Sequence, residues 1–292
     1  MFRDQALIDA ATLRQQLEDP DLRILDATAY LRREVPDGPY TVESGRQGYG
    51  EAHIPGAAFA DIPGELSDVA SPFPFALPSP EPFARAMSEL GVGPGTRVVA
   101  YAQESPMWAS RLWWLLRYFG FDDVQLLDGG LRSWRRAGYP LTSDPPPRLE
   151  ASGFVARPRP EFLATKDDVA RVVAGAPARL VNALSPKAFR GDGPGAYSRP
   201  GRIPGSVNAP AHDLVDPATG CFRGPDELAG ALAGLLEDDA DAPLITYCGA
   251  GISATVVVFA LSLLGRDDDV RLYDGSLTEW SADPQLPLDV GD

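Results

Sequence analysis

The sequence predicts an α/β protein of two tandem domains, each a parallel sheet with helices on both faces. Two observations carry that expectation. Short apolar or β-branched runs alternate with longer helical stretches, the pattern of strands joined by crossover helices. The whole pattern also occurs twice. Val98-Val99-Ala100-Tyr101 matches Leu244-Ile245-Thr246-Tyr247, Leu127-Asp128-Gly129-Gly130 matches Tyr273-Asp274-Gly275-Ser276, and Trp134 matches Trp280, all at an offset of 146 residues. Upstream, His53-Ile54-Pro55-Gly56 matches Arg202-Ile203-Pro204-Gly205 at 149, and Ile24-Leu25-Asp26-Ala27 matches Leu180-Val181-Asn182-Ala183 at 156. The drift places the length changes in loops, where insertions are tolerated.

Element by element, a helix over 7–18 precedes a strand over 23–25, and a helix over 82–90 precedes a strand over 97–101. A helix over 109–119 and a strand over 123–127 complete the first copy. The second copy repeats the series with a helix over 166–174, a strand over 180–183, a helix over 225–237, a strand over 244–247, a helix over 254–264 and a strand over 270–273. Between them runs a proline-rich tract with Pro145-Pro146-Pro147 and Arg157-Pro158-Arg159-Pro160, expected to be semi-rigid and without a core of its own. The domains are therefore expected at 1–144 and 161–292, with a linker at 145–160.

The chemistry concentrates in residues 244–264, LITYCGAGISATVVVFALSLL. A buried strand runs into an apolar helix of about three turns, and the turn between them is Cys248-Gly249-Ala250-Gly251-Ile252-Ser253. Two glycines permit a tight cradle, and a loop feeding a helix start turns its backbone N–H groups inward. A cysteine at the mouth of such a cradle favours its thiolate, the nucleophilic form. Ser253 is read either as one further donor or as a plain helix N-cap. The first copy has Ala102 opposite Cys248, and its loop, Ala102-Gln103-Glu104-Ser105-Pro106-Met107, holds neither a nucleophile nor glycines. It is expected to be catalytically inactive and to close one side of a cleft between the domains.

Composition narrows the partners. The 292 residues carry a formal net charge of -15, which argues against nucleic acid and anionic membranes. The longest apolar run is too short to span a bilayer and no targeting segment is visible, so the chain is expected in the cytoplasm. With only Cys221 and Cys248 and only His53 and His212, neither a zinc site nor a disulfide framework is expected, and Cys221 reads as incidental. No cofactor is implied.

Taken together, the paired Ile-Pro-Gly turns, the Asp-Gly-Gly and Asp-Gly-Ser turns with their following tryptophans, and the Cys248 loop resemble the tandem-domain sulfurtransferases of the rhodanese and 3-mercaptopyruvate sulfurtransferase family, over about residues 8–288. The resemblance implies an inactive first domain, an active second one, and Cys248 as carrier of a persulfide. It implies a small anionic sulfur donor, 3-mercaptopyruvate or thiosulfate. The acceptor would be cyanide or a thiol, with a thioredoxin-like reductant as one candidate. Ping-pong kinetics follow when donor and acceptor use one site in turn. Two other readings stand beside it. A cysteine phosphatase or arsenate reductase needs a loop one residue longer that ends in arginine, whereas Ala254 stands six positions after Cys248. A non-catalytic pair of binding modules is the third.

The donor stays open between the two. Thiosulfate-type members carry basic residues after the cysteine, and Gly249 and Ala250 are uncharged. Mercaptopyruvate-type members carry serine or threonine where Ala250 stands, and an acidic residue and a histidine where this chain has Pro63 or Gly64 and Phe75. The family also places donor-binding arginines between the first strand and the Ile-Pro-Gly turn of the second copy. The first of these aligns with Ala188, which leaves Arg190 and Arg199 as candidates and Arg202 as a loop charge.

Overall fold

The computed structural model describes residues 3–33, 40–145, 150, 152–192, 197–236 and 242–291. Its strands are β1 (Leu7–Ile8), β2 (Leu22–Asp26), β3 (Ala29–Arg32), β4 (Thr41–Ser44), β5 (Ala58–Phe59), β6 (Arg97–Tyr101), β7 (Val124–Leu127), β8 (Leu163–Ala164), β9 (Arg179–Asn182), β10 (Val207–Asn208), β11 (Leu244–Tyr247) and β12 (Val270–Tyr273). Ten of them form two parallel five-stranded sheets, in the orders β1-β7-β6-β2-β5 and β8-β12-β11-β9-β10, while β3 and β4 pair as an antiparallel hairpin. The two orders are the same topology, so the sequence repeat is a structural one.

Equivalent side chains do equivalent work in the two copies. The Tyr101 hydroxyl accepts from the Ile54 N–H at 3.4 Å and the Tyr247 hydroxyl from the Ile203 N–H at 3.0 Å, which ties each Ile-Pro-Gly turn to the central strand of its sheet. Trp134 Nε1 donates to the Pro140 carbonyl and Trp280 Nε1 to the Pro287 carbonyl, both at 2.8 Å, so each buried indole satisfies its only donor.

The expected helix over 7–18 opens instead as β1, with the helix itself at Ala10–Gln15 behind an Asp9 cap whose carboxylate accepts from the Thr12 N–H at 2.8 Å. Leu7 and Ile8 pair with Leu126 and Leu127, and this edge pairing outweighs local helix periodicity. The helix expected from 109 starts at Pro106, where Ser105 caps and proline at the first position needs no N–H partner. The expected helix over 225–237 is two pieces, Pro225–Ala231 and Ala233–Leu236, and position 237 lies outside the described residues.

Helix Ala254–Leu263 is buried on every side, which for an all-apolar helix means a central position. It packs against helix Pro106–Tyr118: Ser110 Oγ and Thr255 Oγ1 share a hydrogen bond of 2.9 Å, and Trp113 meets Phe259 edge-on at 4.9 Å. One apolar cluster consequently runs through both halves, and each sheet keeps a separate cluster on its outer face. The two halves share a core rather than meeting at a surface.

The proline-rich tract lies against the first half. Residues 146–149 and 151 lie outside those described, but Phe154 is buried in the first half, edge-on to Phe83 at 5.7 Å. The Arg157 and Arg159 N–H groups donate to the Phe119 and Tyr118 carbonyls, both at 2.8 Å. The tract is pinned because it carries its own apolar anchor. Among the described residues no helix is long and apolar enough to cross a membrane, and no cluster of candidate metal ligands forms.

Candidate active site

β11 lies in the middle of its sheet, between β9 and β12, and delivers Cys248 to the C-terminal edge of the parallel strands. The thiol-bearing residue is 2% exposed. The loop from Cys248 to Ser253 is held chiefly by the turn that follows β12. The Leu277 N–H donates to the Cys248 carbonyl at 3.1 Å and the Thr278 N–H to the Gly249 carbonyl at 2.9 Å, with the Thr278 hydroxyl adding 2.7 Å to that carbonyl.

Ser276 is the centre of this support. Its Oγ accepts from the N–H of both Cys248 (3.1 Å) and Gly251 (3.2 Å) and donates to the Tyr273 carbonyl at 2.8 Å, which uses the full capacity of a hydroxyl. Ser276 sits at φ +49°, a left-handed conformation that a side chain rarely takes without cause. Its counterpart, Gly130, has φ +54°, and a Cβ there would collide with the Ala102 carbonyl. The signal was present in the sequence as the difference between Asp-Gly-Gly and Asp-Gly-Ser, which otherwise serves only to mark the repeat.

The first half reaches into the same turn. Arg111, on helix Pro106–Tyr118, has a fully buried side chain; its Nη1 lies 2.6 Å from Asp274 Oδ1 and donates to the Gly251 carbonyl at 3.3 Å. Its Nη2 donates to the Phe75 carbonyl at 2.8 Å, and Asp274 Oδ2 accepts from the Leu77 N–H at 2.8 Å. Charge, carboxylate and loop carbonyl therefore form one bridge across the domain junction. Sequence reasoning passed over Arg111 because it lies in an apolar stretch and would be read as a solvated charge.

The two loop glycines serve different needs. Gly251 has φ +71°, and a Cβ there would lie 2.7 Å from the Asp274 carbonyl oxygen. Gly249 has no positive φ; it is small because the Tyr197 hydroxyl stands where its Cβ would be. The shared conformational role expected from the sequence holds for Gly251 alone. Gly251→Ala is thus expected to cost about 1–3 kcal/mol of stability together with most of the activity. Gly249→Ala, whose neighbour is a movable side chain, should lose turnover with little change in melting temperature. Activity and melting curves of the two variants check the distinction, and equal behaviour would refute it.

Among the described residues nothing accepts a hydrogen bond from the N–H groups of Gly249, Ala250, Ile252 or Ser253. Ser253 makes no side-chain capping bond to its helix; it lines a cavity instead. That cavity, about 500 Å³, lies between the halves, with Arg33, Tyr40 and Met107 contributed by the first and Lys187, Tyr197 and Ser253 by the second. Arg33 also lies over the Tyr40 ring, 3.9 Å from its centroid.

The candidate arginines fare unequally. Arg199 donates from Nε to the Ser281 carbonyl at 3.0 Å and from Nη2 to the Asp283 carbonyl at 2.6 Å, a strut for the end of helix Ser276–Trp280. Arg190 pairs with Asp192 at 2.8 Å beside the cavity-lining Gly191 and Asp192. Arg202 donates to the Gly291 carbonyl at 2.5 Å and stacks on Phe189. Cys221 is half-buried, and burial together with the Asp128 carboxylate raises its thiol above the usual range.

Residues 9–137 and 171–283 each match the family described as Rhodanese-like domain. The chain is 37% identical over 284 residues to 3-mercaptopyruvate sulfurtransferase of Homo sapiens, spanning 94% of this chain and 92% of that protein. It is 35% identical over 294 residues to thiosulfate sulfurtransferase of Mus musculus, spanning 97% and 93%. The crystal structure of SseA from Escherichia coli, described as a 3-mercaptopyruvate sulfotransferase with the rhodanese fold, superposes with a TM-score of 0.78 at 34% identity, over 92% of this chain and 98% of that one.

Proposed function

The chain belongs to the rhodanese-like family and is a sulfurtransferase, and from that premise we propose that Cys248 carries the transferred sulfur as a persulfide. The observation that supports this most directly is the pairing of a cysteine with open backbone donors. Cys248 opens a loop whose Gly249, Ala250, Ile252 and Ser253 N–H groups have no acceptor among the described residues, and Ala102 occupies the matching place in the first half. Preorganised N–H groups hold a diffuse, singly charged sulfur anion without a cofactor.

In the proposed cycle the Cys248 thiolate attacks the outer sulfur of a donor R–S⁻. The new S–S bond takes its electron pair from Cys248, and the breaking S–R bond leaves its pair on R. The acceptor then attacks the terminal sulfur and releases the Cys248 thiolate. One site serves both halves of the reaction, so steady-state lines for varied donor should be parallel.

A protein of net charge -15 repels an anionic donor at long range. Arg33 and Lys187 at the cavity offset that locally, and Arg190, paired with the cavity-lining Asp192, is the first of the two arginines implied by the family to test. Arg199 already spends its guanidinium on carbonyls. Thiosulfate and 3-mercaptopyruvate are the two donors to compare, since relatives named for each align along nearly the whole chain. We place the reaction in the cytoplasm with a thiol, such as that of a thioredoxin-like reductant, as acceptor; the first half shapes the cleft and carries no sulfur. The test is a pair of assays with the two donors, each with cyanide as acceptor. Arg190→Ala should raise KM for the preferred donor about tenfold or more, the scale of a lost hydrogen bond to a charged group, with kcat little changed. A KM within threefold would place the anion contact on Arg33 and Lys187.

A further inference from the structure

Beside the loop the two copies have exchanged a large and a small residue. In the first copy the loop residue Gln103 projects its amide against Gly48: a Cβ on Gly48 would lie 3.0 Å from the Tyr30 hydroxyl and 3.3 and 3.4 Å from the Gln103 side-chain oxygen and nitrogen, and that hydroxyl donates to the Gln103 oxygen. The counterpart of Gln103 at the 146 offset is Gly249, and the counterpart of Gly48 at the 149 offset of the Ile-Pro-Gly turns is Tyr197. In the second copy the filler arrives from the opposite side, with the Tyr197 hydroxyl over Gly249. The phenol O–H over Gly249 therefore stands directly next to Cys248 and on the wall of the cavity.

We propose that Tyr197 donates its O–H to the sulfur carried on Cys248, as the side-chain member of a cradle otherwise built from backbone N–H groups. The assignment rests on the persulfide reading above. Burial first, and the charge of Cys248 second, hold the phenol well above its ordinary range, so it is a neutral donor throughout. None of the described residues accepts from that hydroxyl. The phenol keeps its proton in both half-reactions. A donor of this kind stabilises the terminal sulfur anion as the S–S bond forms, and being uncharged it adds no ion pair for the acceptor to break.

Tyr197→Phe in the full chain tests the assignment, because it removes the hydroxyl and keeps the ring packed on Gly249. Single-turnover loading of Cys248 by thiosulfate or 3-mercaptopyruvate, followed by unloading to cyanide, should slow by about tenfold to a hundredfold, the loss for one hydrogen bond to a charged group. KM should stay within threefold and the melting temperature should not move. Loading and unloading within twofold of the parent would overturn the proposal, as would a loss confined to KM, which would make Tyr197 a donor-binding residue. If the parent protein itself gains no sulfur on Cys248, it is the persulfide reading that has failed, so the two failures are told apart.

Discussion

Cys248→Ser is expected to reduce sulfur transfer by more than about 10³-fold while leaving the fold unchanged. The loop is held through main-chain atoms that a serine retains: the Cys248 N–H on Ser276 Oγ and the Cys248 carbonyl on the Leu277 N–H. The exchange is close to volume-conserving, so the packed surroundings need not move. What disappears is the polarisable sulfur that can form an S–S bond, and Ala102 offers nothing in its place. Cys221→Ser should be close to silent, because that thiol is raised by burial and sits beside Asp128, away from the loop. Cyanide-coupled turnover and the intact mass after exposure to donor measure both variants. Turnover surviving in Cys248→Ser, or lost in Cys221→Ser, would remove Cys248 from the role proposed for it.

How far the sequence could be read depended on whether a feature was local. β6 and β12 begin and end where apolar runs and flanking turns place them, and the repeat foretold a common topology that the strand orders bear out. The two-residue edge strands β1, β5, β8 and β10 were not legible, since such short segments become strands only by pairing with a neighbour already in place. Cys248 and its loop stood out because a cysteine followed by two closely spaced glycines at a strand end is a local signal. Their supports did not. Ser276, Tyr197 and Arg111 approach the loop from residues 28 positions downstream, 51 upstream and 137 upstream of Cys248, and no period or spacing rule connects such distances. The internal repeat offered the missing lever: position by position, the differences between the copies, Gly130 to Ser276, Gln103 to Gly249 and Gly48 to Tyr197, fall on residues that surround the Cys248 loop.

Arg111→Met is expected to cost about 3–5 kcal/mol of stability, the penalty of leaving one member of a buried ion pair without its partner. Asp274 is the member left behind, with a side chain 12% exposed, and the Gly251 and Phe75 carbonyls lose their donors with it. Activity should fall further than stability explains, because Asp274 belongs to the same turn as Ser276, which fixes the N–H groups of Cys248 and Gly251. Arg111→Lys separates charge from geometry. An ammonium can still face Asp274, yet it cannot span the carboxylate and both carbonyls as a planar fork does, so it should recover more stability than turnover. The combined Arg111→Met, Asp274→Asn chain removes both charges and should be more stable than the sum of its parts, a coupling that a double-mutant cycle reads directly. Chemical denaturation and kcat of five chains, the parent, Arg111→Met, Arg111→Lys, Asp274→Asn and the double variant, are the measurements. Parental stability in Arg111→Met would show that the pair is dispensable. Parental kcat in that variant, once refolded, would show that the first half encloses the cleft without holding the loop. The expected result makes the first half a working part of the Cys248 loop, through one guanidinium buried in the shared core.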